Sequence, residues 1–91
     1  MGYKVLITFD LNNVTSTQRT AFYEKLEELK WSRVGKLTTT WKCSFNDDVT
    51  RNGATEEVIL DLKKAKQHAK MISSVEYAFQ MDKLDVAQGI L

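Results

Sequence analysis

Trp31-Ser32-Arg33-Val34-Gly35-Lys36-Leu37-Thr38-Thr39-Thr40-Trp41-Lys42-Cys43-Ser44-Phe45-Asn46 is the stretch on which the fold turns. Leu37, Thr39, Trp41, Cys43 and Phe45 alternate with Thr38, Thr40, Lys42 and Ser44, the period of two that puts one apolar set on one side of a β-strand. The run fits either one long strand or a hairpin. Gly35 is its only good punctuator, so we divide it into a short strand over 32–36 and a longer one over 38–45.

Toward the N-terminus, Tyr3, Val5, Ile7, Phe9 and Leu11 form the apolar face of a further strand, with Leu6 hinting at burial on both sides. Asn12-Asn13 breaks that pattern. Thr15-x-x-Gln18 then satisfies a capping box, so a helix is expected over 16–30 with Ala21, Phe22, Leu26 and Leu29 facing inward. Toward the C-terminus, Asn46-Asp47-Asp48 through Asn52-Gly53 reads as a mobile polar loop, and Thr55 before Glu56-Glu57 reads as the cap of a second helix. Val58, Leu62, Ala65, Ala69 and Ile72 recur at helical spacing, Ser73-Ser74 ends that run, and Val75, Tyr77, Phe79 and Met81 alternate as a last strand. The order β-α-β-β-α-β implies an α+β fold, the ferredoxin-like sandwich, with both helices on one face of an antiparallel or mixed sheet. Crossover handedness is expected to put the first and last strands in or near its centre.

Ninety-one residues and 10.5 kDa suit a single domain over 1–91. For that mass the surface scalings give roughly 5,400 Å² folded against about 15,200 Å² unfolded, a small but feasible core. The segment 82–91 carries Leu84, Val86, Ile90 and Leu91, which need cover from this subunit or another. Thirteen Lys and Arg against twelve Asp and Glu leave a net charge of +1, so any basic site must be local. The lone Cys43 excludes an internal disulfide and favours a reducing, cytoplasmic setting, as does the lack of a membrane-length apolar run or an export signal.

No phosphate-cradling glycine loop, Cys-x-x-Cys, His-Glu-x-x-His or Gly-x-Ser-x-Gly occurs, so most familiar catalytic kits cannot be assembled in one chain, which speaks against cofactor enzymes. His68 reads as a packing or solvated residue, Cys43 as a small buried hydrophobe on the face of Trp41 and Phe45, and Lys63, Lys64, Lys66 and Lys70 as a solvated helix face. Arg33, Lys36 and Lys42 around Trp41 supply cations and an aromatic ring of the kind that grips single-stranded nucleic acid, although Trp41 shares its face with Phe45 and so suits the core. Asp10 ends an apolar strand on the face opposite Val5, Ile7 and Phe9. There it either caps the Asn12-Asn13 turn or offers a rigid carboxylate to a divalent metal.

Three strings carry a family resemblance: Phe9-Asp10-Leu11 closing the first strand, Arg33-Val34-Gly35-Lys36-Leu37-Thr38-Thr39 after the first helix, and Ile72-Ser73-Ser74-Val75 leading into the last strand. In order and placement they resemble the virulence-associated protein D group and the small CRISPR adaptation ribonuclease-like proteins. That resemblance implies a ferredoxin-like homodimer whose C-terminal segment, here 82–91, can be exchanged between subunits. It also implies an endoribonuclease of toxin–antitoxin or phage-defence type, with Asp10 holding Mg²⁺ at the two-fold axis; in such an enzyme the cations Arg33, Lys36 and Lys42 read above are expected on the RNA backbone. Where relatives carry tyrosine or serine near the second strand, this chain has Lys36 and Thr38. A second functional class is a non-catalytic module of plasmid or phage type that binds a protein partner through its sheet edge or dimer surface, and a third, ranked last for want of a convergent polar cluster, is a small-molecule-sensing regulatory domain.

Overall fold

The computed structural model describes residues 2–91 and contains the six expected elements in the expected order: β1 (Lys4–Leu11), α1 (Ser16–Glu28), β2 (Ser32–Arg33), β3 (Thr40–Ser44), α2 (Arg51–His68) and β4 (Val75–Asp82). They form a four-stranded antiparallel sheet in the order β2-β3-β1-β4, the ferredoxin-like arrangement. Each helical crossover skips one strand: β3 fills the gap between β1 and β2, and β1 the gap between β3 and β4. The centre is therefore β1 with β3. The last strand, expected in or near the middle, lies at an edge because its crossover passes over β1.

The core sits between the sheet and the two helices, where Val5, Ile7, Phe9 and Leu11 of β1 and Trp41 of β3 meet Phe22, Tyr23 and Leu26 of α1 and Val58, Leu62 and Ala65 of α2. Phe9 and Phe22 meet edge to face with centroids 5.3 Å apart, a favoured aromatic geometry. Among the described residues no helix is long and apolar enough to cross a membrane. The accessible surface, 6247 Å², exceeds the roughly 5,400 Å² expected for a compact chain of this mass. Leu84, Ile90 and Leu91 in the extended C-terminal segment stand exposed and contribute to the excess, while Val86 is half-buried.

Both helix starts are threonine caps. Thr15 Oγ1 accepts from the Gln18 amide while Gln18 Oε1 accepts from the Thr15 amide, each at 3.1 Å, which is the capping box read from the sequence. The second cap is Thr50, five residues earlier than expected, with Oγ1 accepting from the Gly53 amide at 3.0 Å. Thr55 lies inside the helix and donates its hydroxyl to the Arg51 carbonyl at 2.9 Å. Asn52-Gly53 thus opens α2 instead of closing a loop, since a cap oxygen outweighs the weak helix propensity of those two residues.

Both helices also end alike, and neither ending was legible in the sequence. Lys30 (φ 75°) and Lys70 (φ 56°) take left-handed backbone conformations, where glycine is the usual occupant. Trp31 N–H then donates to the Leu26 carbonyl and Lys30 N–H to Glu27; Met71 N–H donates to Lys66 and Lys70 N–H to Gln67. These are Schellman closures, and each folds the following apolar residue back onto the core: Trp31 is 3% exposed and Met71 6%. Ile72, expected on the buried stripe of α2, is 99% exposed because the reversal at Lys70 hands that place to Met71.

Strands β2 and β3 are shorter than expected, with the connection through Gly35 (φ 57°) closed by Val34 N–H to the Thr40 carbonyl and Leu37 N–H to Val34. Thr38 leaves the ladder and instead accepts from the Trp41 indole N–H at 2.9 Å. That bond lets a fully buried ring keep its polar atom satisfied.

Candidate nucleic-acid interface on the open sheet face

Because strand side chains alternate, the even positions of β1 emerge on the sheet face away from the helices. The registers build this face in rows: Asp82, Lys4 and Ser44; Gln80, Leu6, Lys42 and Ser32; Ala78, Thr8 and Thr40; Glu76 and Asp10. The Lys4 end and the Asp10 end lie six residues apart on one strand, about 20 Å. None of these outward side chains is aromatic. Base stacking of the kind that single-strand binders use has no platform here; the cations available for anion contacts are Lys4 and Lys42, and the carboxylates Asp10, Glu76 and Asp82 share the face.

At the Lys4 end, Lys4, Lys30 and Lys42 surround a hollow of about 540 Å³ together with the hydroxyl residues Ser32 and Ser44. Lys4 and Lys42 are diagonal cross-strand neighbours, which places their Cα atoms about 7–8 Å apart. The C-terminal segment crosses the same place: Lys4 Nζ lies 3.8 Å from an Asp85 carboxylate oxygen and 3.4 Å from Ser44 Oγ, and Lys42 Nζ donates to Gln88 Oε1 at 2.7 Å. Through these contacts the segment 82–91 lies against β1 and β3.

Asp10 is exposed at the opposite end, directly across from Glu76, in a shallow hollow of about 440 Å³ that also includes Thr8 and Thr39. Two carboxylates directly opposite on neighbouring strands repel, and a cation between them would relieve that cost. Among the described residues no group of three or more His, Cys, Asp or Glu is placed to hold a metal ion. At this end of the face one chain sets two carboxylates, Asp10 and Glu76, in directly opposed register positions.

The remaining expected nucleic-acid contacts do not converge on this face. Arg33 pairs with Trp41 in the register, so its side chain belongs to the helix side, where the guanidinium lies 5.0 Å from the Tyr23 ring centroid and 5.4 Å from that of Trp41. Trp41 itself is fully buried. Lys36 is exposed in the β2–β3 connection. Of the three cations, only Lys42 shares a face with Asp10. Lys4 and Lys30 escaped notice because a single lysine in an apolar strand, or after a helix, carries no signal until strand pairing sets it beside others.

A second polar cluster lies on the helix side and was also missed. Asp61 of α2 is 4% exposed and accepts from the Trp31 indole N–H at 2.9 Å. Burial and a hydrogen bond with Glu57 push its carboxyl up to about 6, against the lowering effect of Trp31. Cys43 shares a hollow of about 350 Å³ with Glu57, Asp61 and Lys64. Burial, then the charges of Asp61 and Glu57, push its thiol up to about 12, so it stays protonated and unreactive at neutral pH. In the sequence Asp61 looks like one acid among the lysines of a wet helix face; only the inward turn of Trp31 gives it a buried partner. Comparisons with protein-family models, with curated proteins and with solved structures each return no match, so the family expectation rests on the quoted residue strings alone.

Proposed function

We propose that this protein binds the phosphate backbone of RNA on the open face of its sheet and, as a homodimer, cleaves it with a divalent metal ion held at Asp10. The observation that carries the binding half is the group Lys4, Lys30 and Lys42 with Ser32 and Ser44 around one hollow, three cations against the single carboxylate of Asp85, in a chain of net charge +1. The choice of RNA, the homodimer and the toxin–antitoxin or phage-defence setting come from the family resemblance. Lysine ammonium groups position the backbone without reading sequence. A divalent ion at Asp10, with Glu76 beside it, would offset charge developing on a phosphodiester, and a two-fold axis would double the carboxylates available.

Fluorescence anisotropy with a short labelled RNA tests binding. Three phosphate contacts predict that log K falls against log salt with a slope near −2, about 0.7 per phosphate on a single strand. Loss of saturable binding at low salt defeats the reading. For cleavage, Asp10→Ala is expected to keep RNA affinity and abolish Mg²⁺-dependent cutting; an Asp10→Ala protein that cuts like wild type removes Asp10 from the mechanism.

A further inference from the structure

Beyond the open face, the molecule leaves one long sheet edge uncovered. β4 pairs with β1 along all eight of its residues and, among the described residues, has no strand on its other side. Every second residue of such an edge turns an N–H and a C=O outward. Proteins usually blunt an edge of this length with lysine, proline or a bulge, but Val75-Glu76-Tyr77-Ala78-Phe79-Gln80-Met81-Asp82 contains no lysine or proline and pairs without a register break. Tyr77 and Phe79 stack along it with centroids 6.1 Å apart, and Tyr77 is 48% exposed.

Beside this edge, on the helix side, runs a groove of about 170 Å³ lined by Ile59, Leu62, Lys63 and Lys66 of α2 and by Val75 and Tyr77 of β4. Its floor is apolar and its rim cationic. No carboxylate lines it, and neither lysine has an ion-pair partner among the described residues. On the other side of the same edge the outward row is acidic at both ends, with Glu76 and Asp82.

We infer that this groove takes an extended segment of a partner protein, added as a fifth strand to β4, with an apolar side chain on the floor and carboxylates two residues to either side meeting Lys63 and Lys66. Main-chain bonds to the edge supply affinity, and the alternation supplies specificity. The residues between those three face the Glu76 and Asp82 side and are polar or basic. A second copy of this chain is a poorer occupant, because two-fold pairing through β4 brings a second Lys63 and Lys66 to the same seam. The C-terminal segment is likewise unsuited, being held on the opposite face at Lys4 and Lys42.

The probe is a dye-labelled peptide, Lys-Glu-Thr-Ile-Thr-Glu-Lys, titrated with the full chain and followed by anisotropy. Its isomer Lys-Glu-Ile-Thr-Thr-Glu-Lys moves isoleucine to the other face from the glutamates. The first peptide is expected to bind saturably and the isomer at least tenfold more weakly. The doubly substituted Lys63→Glu, Lys66→Glu chain should lose at least tenfold in affinity for the first peptide, with an unchanged urea midpoint showing that it folds. Amide exchange should slow at alternate residues of β4 when the peptide binds. Equal affinity for the two peptides, no saturable binding, or indifference to the charge reversal overturns the proposal. So does protection of β4 that rises with protein concentration alone, which would identify a second copy as the occupant. RNA affinity at the open face does not enter these readouts, so the two readings fail separately.

Discussion

Val5, Ile7, Phe9 and Leu11 are at most 5% exposed, whereas Leu6, Thr8 and Asp10, their immediate neighbours on β1, face outward. One strand thus serves two surfaces with different tasks. On the helix side, stability depends on close packing and on satisfying the few polar atoms taken out of water, such as the indoles of Trp31 and Trp41. On the open side, side chains remain solvated, so a charged group there costs little and is free to meet a ligand. Chemistry on the open face should therefore be separable from stability, and the converse should hold for the core.

The sharpest way to break that contrast is to compare adjacent residues of β3. Trp41→Ala should cost roughly 3–5 kcal/mol in urea unfolding, the range for truncating a fully buried aromatic. Thr40→Ala, on the open face, should stay within about 0.5 kcal/mol. Comparable losses at the two positions would mean that the open face is covered in solution.

Asp61 sharpens the contrast from the buried side through pH. Its folded pKa, about 6, lies above its ordinary value of 3.8, so the folded state binds the proton more tightly than the unfolded one. The stabilisation from this group is fully present below about pH 4 and is lost as pH rises through 6, a change of at most about 3 kcal/mol at 1.36 kcal/mol per unit. Asp61→Asn keeps an acceptor for Trp31 and removes the charge. It should flatten the stability profile between pH 4 and 7 and raise stability at pH 7 relative to wild type. A variant with the wild-type profile would place the titrating group elsewhere.

On the open face, Lys42→Glu should weaken RNA binding by about tenfold, some 1.4 kcal/mol, and move the urea midpoint by no more than a surface change does. The smallest effect belongs to a helix end. Lys70→Gly relieves a left-handed backbone at φ 56° and should stabilise the chain by about 0.5–1 kcal/mol.

Much of this architecture was legible from spacing. The period-two runs gave β1 and β4 nearly to the residue, and Thr15-x-x-Gln18 marked the start of α1. The start of α2 was misplaced because Thr55 was read as the cap, whereas it is Thr50 that directs its oxygen to a free amide and Thr55 bonds a carbonyl inside the helix. The candidate site was less legible. Asp10 and Lys42 were correctly placed in outward positions of their strands, but Arg33 was grouped with Lys42 although adjacent register positions point to opposite faces.

Local sequence determined the element order, the apolar side of each strand and the capping box, because periodicity and capping act over a few residues. Only the tertiary structure decided that β4 takes an edge, that Trp31 reaches Asp61 across 30 positions, and that Lys4, Lys30 and Lys42 gather at one hollow. These depend on strand order and on chain reversals at Lys30 and Lys70, where packing of Trp31 and Met71 offsets a backbone conformation that lysine does not favour by itself.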